Sequence, residues 1–152
     1  MKAITMTLVT GKIKGLTFIE VLFVVIIIGI LTIVSLPNFR KTFNNLQLKS
    51  FAQELQASMN YLHQRSVIEG KIIYLNIDDE KKEYFAKIKG NSERLRTYRI
   101  PNDIKIETEQ KEILFYPDGS IDKVIIKLIN LDNQNITLTT KGVFGGVKIQ
   151  SQ

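Results

Sequence analysis

The chain has 152 residues, no cysteine and one histidine, with 21 basic and 15 acidic residues for a formal net charge of +6. This length suits one domain, and the lack of cysteine excludes disulfides, iron–sulfur clusters and thiolate zinc sites. The single histidine, His63, also excludes metal sites and catalytic mechanisms that need two.

The N-terminal region joins a short basic segment to an apolar run. Residues 1–15 contain three lysines and no acid, and Glu20 is the only charged residue in residues 16–36. As a helix, that run rises about 32 Å, which matches the roughly 30 Å hydrocarbon core of a bilayer. The sequence therefore predicts a transmembrane helix over residues 16–36.

Three interpretations of this segment compete: a secretory signal peptide, a plain signal anchor and a processing signal that rests on a motif. A secretory signal peptide needs a small-residue cleavage site after the apolar run, and the sequence from Ser35 to Arg40 has none. A plain signal anchor fits the length but leaves Glu20 unexplained, because a carboxylate in an apolar span costs several kcal/mol without a partner. A position at the level of the lipid headgroups is the simplest alternative for Glu20.

The third interpretation rests on a motif. The string Gly15-Leu16-Thr17-Phe18-Ile19-Glu20, followed by the apolar run, resembles the cleavage and methylation signal of type IV prepilins and pseudopilins. The resemblance implies that prepilin peptidase cuts between Gly15 and Leu16 and then methylates the new amine of Leu16. It also makes Glu20 the fifth residue of the mature chain, the acid that neutralises a neighbouring subunit's terminal amine during assembly.

A single long helix is predicted for residues 16–69. Pro37 predicts a kink, because proline lacks an amide hydrogen and clashes with the preceding turn. His63 lies at the edge of an apolar stripe on the second half and is interpreted as a partly exposed structural residue. Gly70 is expected to end the helix. The stripe is predicted to pack on a sheet and consists of Leu48, Phe51, Ala52, Leu55, Met59 and Leu62.

After the helix, the apolar pattern changes to a period of two residues, which predicts strands. The expected segments are 71–77, 83–88, 95–100, 104–107, 113–116, 123–129, 136–140 and a last strand ending at Ile149. The first two are expected to form a hairpin, and so are 123–129 and 136–140. The predicted fold class is α+β, with the long N-terminal helix packed on antiparallel β-sheets.

The C-terminal half resembles a narrower family. The run from Ile113 to Ser120, with Lys141-Gly142 before the closing strand, is similar to the GspH/FimT family of minor pseudopilins and minor pilins. The resemblance implies a pilin-like domain organisation. It consists of a leader at 1–15, a transmembrane and filament-core helix at 16–36, its amphipathic continuation at 37–69 and a β-rich domain at 70–152.

The family resemblance implies a minor pseudopilin of the type II secretion pseudopilus, a short periplasmic filament that drives protein export. The chain would cross the inner membrane once, with its N-terminus in the cytoplasm and its β-domain in the periplasm. Its expected partners are other pseudopilins or pilins, prepilin peptidase and the inner-membrane assembly platform. The alternative function is a minor pilin of a type IV pilus or of a competence system for DNA uptake.

Enzymatic and cofactor-binding functions are not expected. The sequence contains no nucleophile–base motif, Walker loop or dinucleotide fingerprint, so no catalytic residue, cofactor or small-molecule substrate is assigned. The acids at 78–80, and Asp118 with Asp122, lack EF-hand spacing and are interpreted as solvated turns, not metal ligands. The Gly-rich stretch 142–146 is interpreted as a β-bulge or a close approach of backbones.

Nucleic acid is not expected as a partner. Loss of the leader removes three lysines and leaves 18 basic against 15 acidic residues, a formal +3 that gives only a weak field. Arg94, Arg96 and Arg99 form the densest basic stretch and are a candidate for a weak anion or DNA contact. In a regular strand Arg94 and Arg96 share a face, which Tyr98 continues. DNA-binding FimT-type pilins carry a GRxR motif, and the stretch from Gly142 has no arginine.

Overall fold

The computed structural model describes residues 15–141 and 146–151, with the side chains of residues 34–38 and 151 outside the description. Within these residues it contains one helix, α1 (Phe18–Glu69), followed by eight strands. The chain forms two compact units, Met1–Asn38 and Phe39–Gln152. Residues of α1 lie in both units, and the single long helix predicted for residues 16–69 is confirmed.

The N-terminal unit holds the first part of α1. Among the residues that the structure describes, no helix has the length and apolar character needed to cross a membrane. The transmembrane helix predicted for residues 16–36 is therefore not confirmed, and its last three side chains lie outside the described residues. The kink at Pro37 falls there too and stays a prediction.

The second unit is built around the apolar stripe of α1. All six predicted stripe residues are buried, and Leu55 and Met59 are completely covered. Phe51 meets the ring of Tyr84 edge-on at 6.2 Å between centroids. The Gln56 side chain donates a hydrogen bond of 2.6 Å to the carbonyl of Val147. The predicted packing of this stripe on a sheet is confirmed, and the helix contacts strands of two sheets.

The strands form two four-stranded antiparallel sheets. Their bounds are β1 (Ile73–Asp78), β2 (Glu83–Ile88), β3 (Arg94–Arg99), β4 (Ile104–Thr108), β5 (Glu112–Phe115), β6 (Ile125–Asn130), β7 (Asn135–Thr140) and β8 (Val147–Ser151). The first sheet has the order β3-β2-β1-β5 and the second the order β4-β6-β7-β8. The predicted fold class is confirmed, and so are the hairpins β1–β2 and β6–β7.

One core serves both sheets. Strand residues alternate between buried and half-exposed, as in β1, where Ile73, Leu75 and Ile77 point inwards. The second sheet contributes Ile126 and Leu128 from β6 in the same way. This alternation is what a sheet with one covered face requires, and it explains why the apolar pattern located these strands to within about two residues.

The end of α1 is set by Gly70. Its φ of +64° is left-handed, and the amide of Lys71 donates to the carbonyl of Ser66 at 3.2 Å, which forms a Schellman cap. The predicted helix end at Gly70 is confirmed.

A substitution at Gly70 tests this cap. Gly70→Ala is expected to destabilise the fold by about 1 kcal/mol, because a Cβ disfavours the left-handed conformation. Gly70→Asn is the matched control and should cost less, since asparagine tolerates this conformation. Urea unfolding measures both, and equal losses would show that the backbone conformation is not what glycine provides.

Candidate assembly site

The first turn of α1 is capped by Thr17. The amide of Glu20 donates to the carbonyl of Thr17 at 3.1 Å and lies 3.4 Å from its Oγ1. The amide of Val21 donates to the same carbonyl at 3.2 Å. Threonine at the cap with glutamate three residues later is a capping-box sequence. The sequence analysis missed this cap, although the Thr-x-x-Glu spacing before an apolar run signals it. The bonds observed here use the backbone amide of Glu20, not its carboxylate.

The predicted cleavage bond precedes this cap. Gly15 and Leu16 lie outside the helix, and both are exposed, Leu16 by 74% of its surface. An exposed, non-helical bond is accessible to a peptidase. The structure tests neither cleavage after Gly15 nor methylation of Leu16, so both stay predictions.

The first part of α1 is uncovered on every side. All residues from Gly15 to Ile33 are exposed, and the large apolar ones range from 48% for Val21 to 85% for Phe18. A helix that is apolar all round is stable only when lipid or protein covers it. We call residues 16–33 the apolar segment. Glu20 is its single charged group.

The arginine strand, β3, is an edge strand that pairs only with β2. A bulge interrupts this pairing: Ala86 lies opposite Arg96, whereas the next residue, Lys87, lies opposite Arg94. The extra residue, Leu95, packs towards the core. The prediction that Arg94 and Arg96 share a face is therefore wrong, because a bulge breaks the two-residue alternation of side chains.

The side chains of Arg94 and Arg96 confirm the separation. Arg94 lies over the ring of Phe85 at 4.1 Å and pairs with Glu83 at 2.8 Å, on the outer face of the first sheet. Arg96 lies 5.1 Å from the ring of Tyr98, which stacks at 4.7 Å on the buried Tyr84. Arg94 and Arg96 therefore do not converge on one anion, and the weak anion contact of the three arginines stays a prediction.

This architecture matches solved structures of a minor pseudopilin and a minor pilin. The minor pseudopilin EpsH from the type 2 secretion system of Vibrio cholerae superposes with a TM-score of 0.57 at 11% identity, over 69% of this chain and 97% of that one. The type IV minor pilin FimU of Pseudomonas aeruginosa gives 0.57 at 16% identity, over 71% and 90%. The chain has a pilin-like fold. A second crystal form of FimU gives 0.56. No family profile and no curated sequence matches the chain.

Within this pilin-like fold, the turn after β5 is a structural motif. Asp118 accepts hydrogen bonds from the amide and hydroxyl of Ser120 at 2.9 and 2.6 Å. These bonds hold the pKa of Asp118 below its ordinary value. Gly119 completes the turn with a φ of +84°. The motif that pointed to the family thus closes a tight corner.

The same corner is fastened to α1. The ring of His63 hydrogen-bonds the carbonyl of Gly119 at 2.9 Å, and the hydroxyl of Ser66 donates to the carbonyl of Tyr116 at 3.1 Å. His63 is partly exposed, so its predicted structural role is confirmed. Asp122 accepts from the amide of Leu114 at 3.1 Å, which occupies this carboxylate within the fold.

The other candidate sites hold no ligand set. Within residues 15–141 and 146–151, no three His, Asp or Glu side chains lie close enough together to bind a metal ion. Asp78 accepts from the amide of Lys81, and Asp79 pairs with Lys82 at 2.8 Å, so both carboxylates are engaged within the turn. Of the Gly-rich stretch 142–146, for which a β-bulge or a close approach of backbones is predicted, residues 142–145 lie outside the described residues.

Proposed function

We propose that this protein is a structural subunit of a pilin-like filament, specifically a minor pseudopilin of a type II secretion pseudopilus. One observation carries the proposal: an apolar helix with a single carboxylate, Glu20, precedes a domain whose own core is already complete. Such a segment needs partners, and helices of sister subunits supply both apolar surface and a terminal amine. The likeness to EpsH, a secretion-system protein, is one support for the secretion assignment. Its work is mechanical, and no catalytic step is assigned to it.

The proposed assembly begins at the inner membrane. Prepilin peptidase cuts the leader after Gly15, and the methylated amine of Leu16 becomes the start of the mature chain. The apolar segment holds the subunit in the bilayer with its β-domain in the periplasm. On the assembly platform the segment exchanges lipid for neighbouring helices, and Glu20 pairs with the amine of an adjacent subunit.

The intact mass and N-terminal sequence of the native protein test this proposal. We expect a chain that begins at methylated Leu16, recovered from the membrane and sheared-filament fractions. The matched control is the same protein from a host without prepilin peptidase, which should keep its leader. An uncut chain in the presence of active peptidase, or a cut beyond residue 36, would contradict the proposal.

A minor pilin of a type IV pilus or competence system is the second candidate. The likeness to FimU favours it, since FimU matches with the same TM-score as EpsH and a higher identity. The two functions differ in what the β-domain contacts. A competence pilin binds DNA through basic side chains, whereas a pseudopilin needs no nucleic acid.

DNA titration at several salt concentrations separates the two. We expect a shallow salt dependence, with log K falling by less than about 2 per decade of salt, because few phosphates are contacted. Arg94 is already paired with Glu83, and Arg96 lies away from it across the bulge. A much steeper slope that flattens in the variant Arg96→Gln with Arg99→Gln would favour the DNA-uptake function.

A further inference from the structure

The edges of the two sheets differ in whether their outer sides are covered. Segment 120–122 runs along β5, where Phe115 bridges to Ile121 and the amide of Asp122 donates to the carbonyl of Leu114. The side chain of Lys82 donates to the first carbonyl of β4, and Gln56 bonds the first carbonyl of β8. Three of the four edge strands therefore receive hydrogen bonds from outside their sheet ladders.

The fourth edge, β3, is open. Among the described residues, none outside β2 hydrogen-bonds the backbone of β3. The amide of Ile100 donates towards the β2 side, to the carbonyl of Lys82 at 2.8 Å. Backbone groups alternate in direction along a strand, so Thr97 and Arg99 direct theirs away from β2. Both residues are exposed, which leaves a short row of backbone donors and acceptors for an added strand.

The side chains along this edge are basic. Arg94 has its partner in Glu83, but Arg96 and Arg99 form no ion pair within the part of the chain that the structure describes. Arginines at an edge repel basic strands and offer forked donors to carboxylates. The edge therefore has both the hydrogen-bonding row and the charge needed for an acidic strand.

We propose that β3 is a docking edge that binds an extended acidic segment of a partner protein by strand addition. The backbone of the segment pairs with Thr97 and Arg99, and its carboxylates pair with the free guanidinium groups. The bulge places Arg96 on the helix-facing side of the sheet, whereas Arg99 lies opposite Glu83 on the outer side. Because side chains of an added strand alternate between faces, neighbouring carboxylates in the segment reach both arginines.

The choice of an acidic partner follows from the same register. On the outer face of the sheet, Arg99 lies opposite Glu83. That carboxylate pairs with Arg94, which leaves Arg99 without a counter-charge. An apolar strand would leave Arg96 and Arg99 without counter-charges next to a new backbone ladder. An acidic strand supplies them. This proposal is independent of the filament function, since the edge lies in the β-domain and not in the apolar segment.

Two short capped peptides test the proposal against the full chain kept in solution with detergent. One contains glutamate, threonine and valine, and the other has lysine in place of each glutamate. We expect the acidic peptide to bind and to slow hydrogen exchange at the amides of Thr97 and Arg99 by about tenfold or more. The lysine peptide should do neither.

Two variants separate strand addition from simple charge attraction. Thr97→Pro removes an amide that faces away from β2, so the sheet stays paired while the peptide ladder is blocked. Arg96→Glu with Arg99→Glu should weaken peptide binding by about tenfold or more. The matched control, Lys49→Glu with Lys123→Glu, changes the net charge equally at exposed sites elsewhere and should leave binding unchanged. Unchanged unfolding midpoints show that each variant is folded.

Several results would overturn the proposal. Unchanged exchange at Thr97 and Arg99 in the bound state would mean that no strand is added. Equal binding to the Thr97→Pro variant, or to the arginine variant, would place the peptide elsewhere. Protection of these amides without peptide that disappears on dilution would assign the edge to a second copy of this chain. Tighter binding of a DNA fragment at the same residues would assign it to nucleic acid.

Discussion

Replacing Glu20 with alanine is expected to keep this protein out of its filament while leaving the β-domain folded. In the proposed assembly, the carboxylate is the only counter-charge for a terminal amine surrounded by apolar helices. Removing one partner of a buried ion pair costs about 3–5 kcal/mol. That loss corresponds to a fall of at least about a hundredfold in subunit association. The expected result is a chain retained in the membrane fraction and absent from sheared filaments.

A second substitution decides which property of Glu20 matters. Glutamine also occupies the third position of a capping box, so Glu20→Gln keeps the local helix start and removes only the charge. We expect Glu20→Gln to fail in assembly as Glu20→Ala does. Glu109→Gln, an exposed site in the β-domain, is the matched control and should assemble normally. Immunoblots of membrane and filament fractions, in cells that supply the other subunits, measure each chain.

The outcome separates two candidate roles of the Glu20 side chain, a capping-box contact to the amide of Thr17 and the proposed charge pair. Normal assembly of Glu20→Gln with failure of Glu20→Ala would assign Glu20 to the cap with Thr17, not to a charge pair. Normal assembly of both variants would contradict the filament proposal at its central residue. Failure of both, with a normal Glu109→Gln chain, is the result that the charge pair requires.

Local patterns in the sequence were sufficient to locate the elements. The three- and four-residue spacing of the stripe from Leu48 to Leu62 predicted the packed face of α1, because a helix buries one face at that period. Alternation of apolar residues located most of the strands, because both sheets cover one face only. In β3 a bulge breaks that alternation. Gly70 predicted the helix end through a conformation that few other residues adopt. Each of these properties is decided by neighbours along the chain.

Features set by distant residues were not predictable in this way. The bulge in β3 depends on how Ala86 and Lys87 of β2 meet it, so nothing within residues 94–99 reveals it. β3 and β4 follow one another along the chain, yet they lie in different sheets, since β4 pairs with β6. Pairing between such distant strands depends on which edges remain available after the core has formed. For this reason the shared face predicted for Arg94 and Arg96 was wrong. The assembly role of Glu20, taken from a local motif, stays a prediction.

Truncating Leu55 to alanine is expected to destabilise the β-domain by about 2–5 kcal/mol. Leu55 is completely buried in the core that α1 shares with both sheets, so the shorter side chain loses contacts and leaves a cavity. Leu46→Ala is the matched control on the same helix. Leu46 is 61% exposed, and its truncation should change stability by no more than about 0.5 kcal/mol.

Urea unfolding of the full chain in detergent measures both leucine variants. A lower midpoint with an unchanged slope for Leu55→Ala indicates lost packing and not a changed unfolded state. Equal losses at both positions would contradict the one-sided packing of this helix. Measured stability also separates a folding defect from an assembly defect, because Leu55→Ala lowers the free energy of unfolding without altering the apolar segment. Glu20→Gln alters the apolar segment and is expected to leave the stability of the β-domain unchanged. A folded subunit that cannot assemble and an assembly-competent subunit that unfolds easily are therefore distinct, measurable failures of one helix.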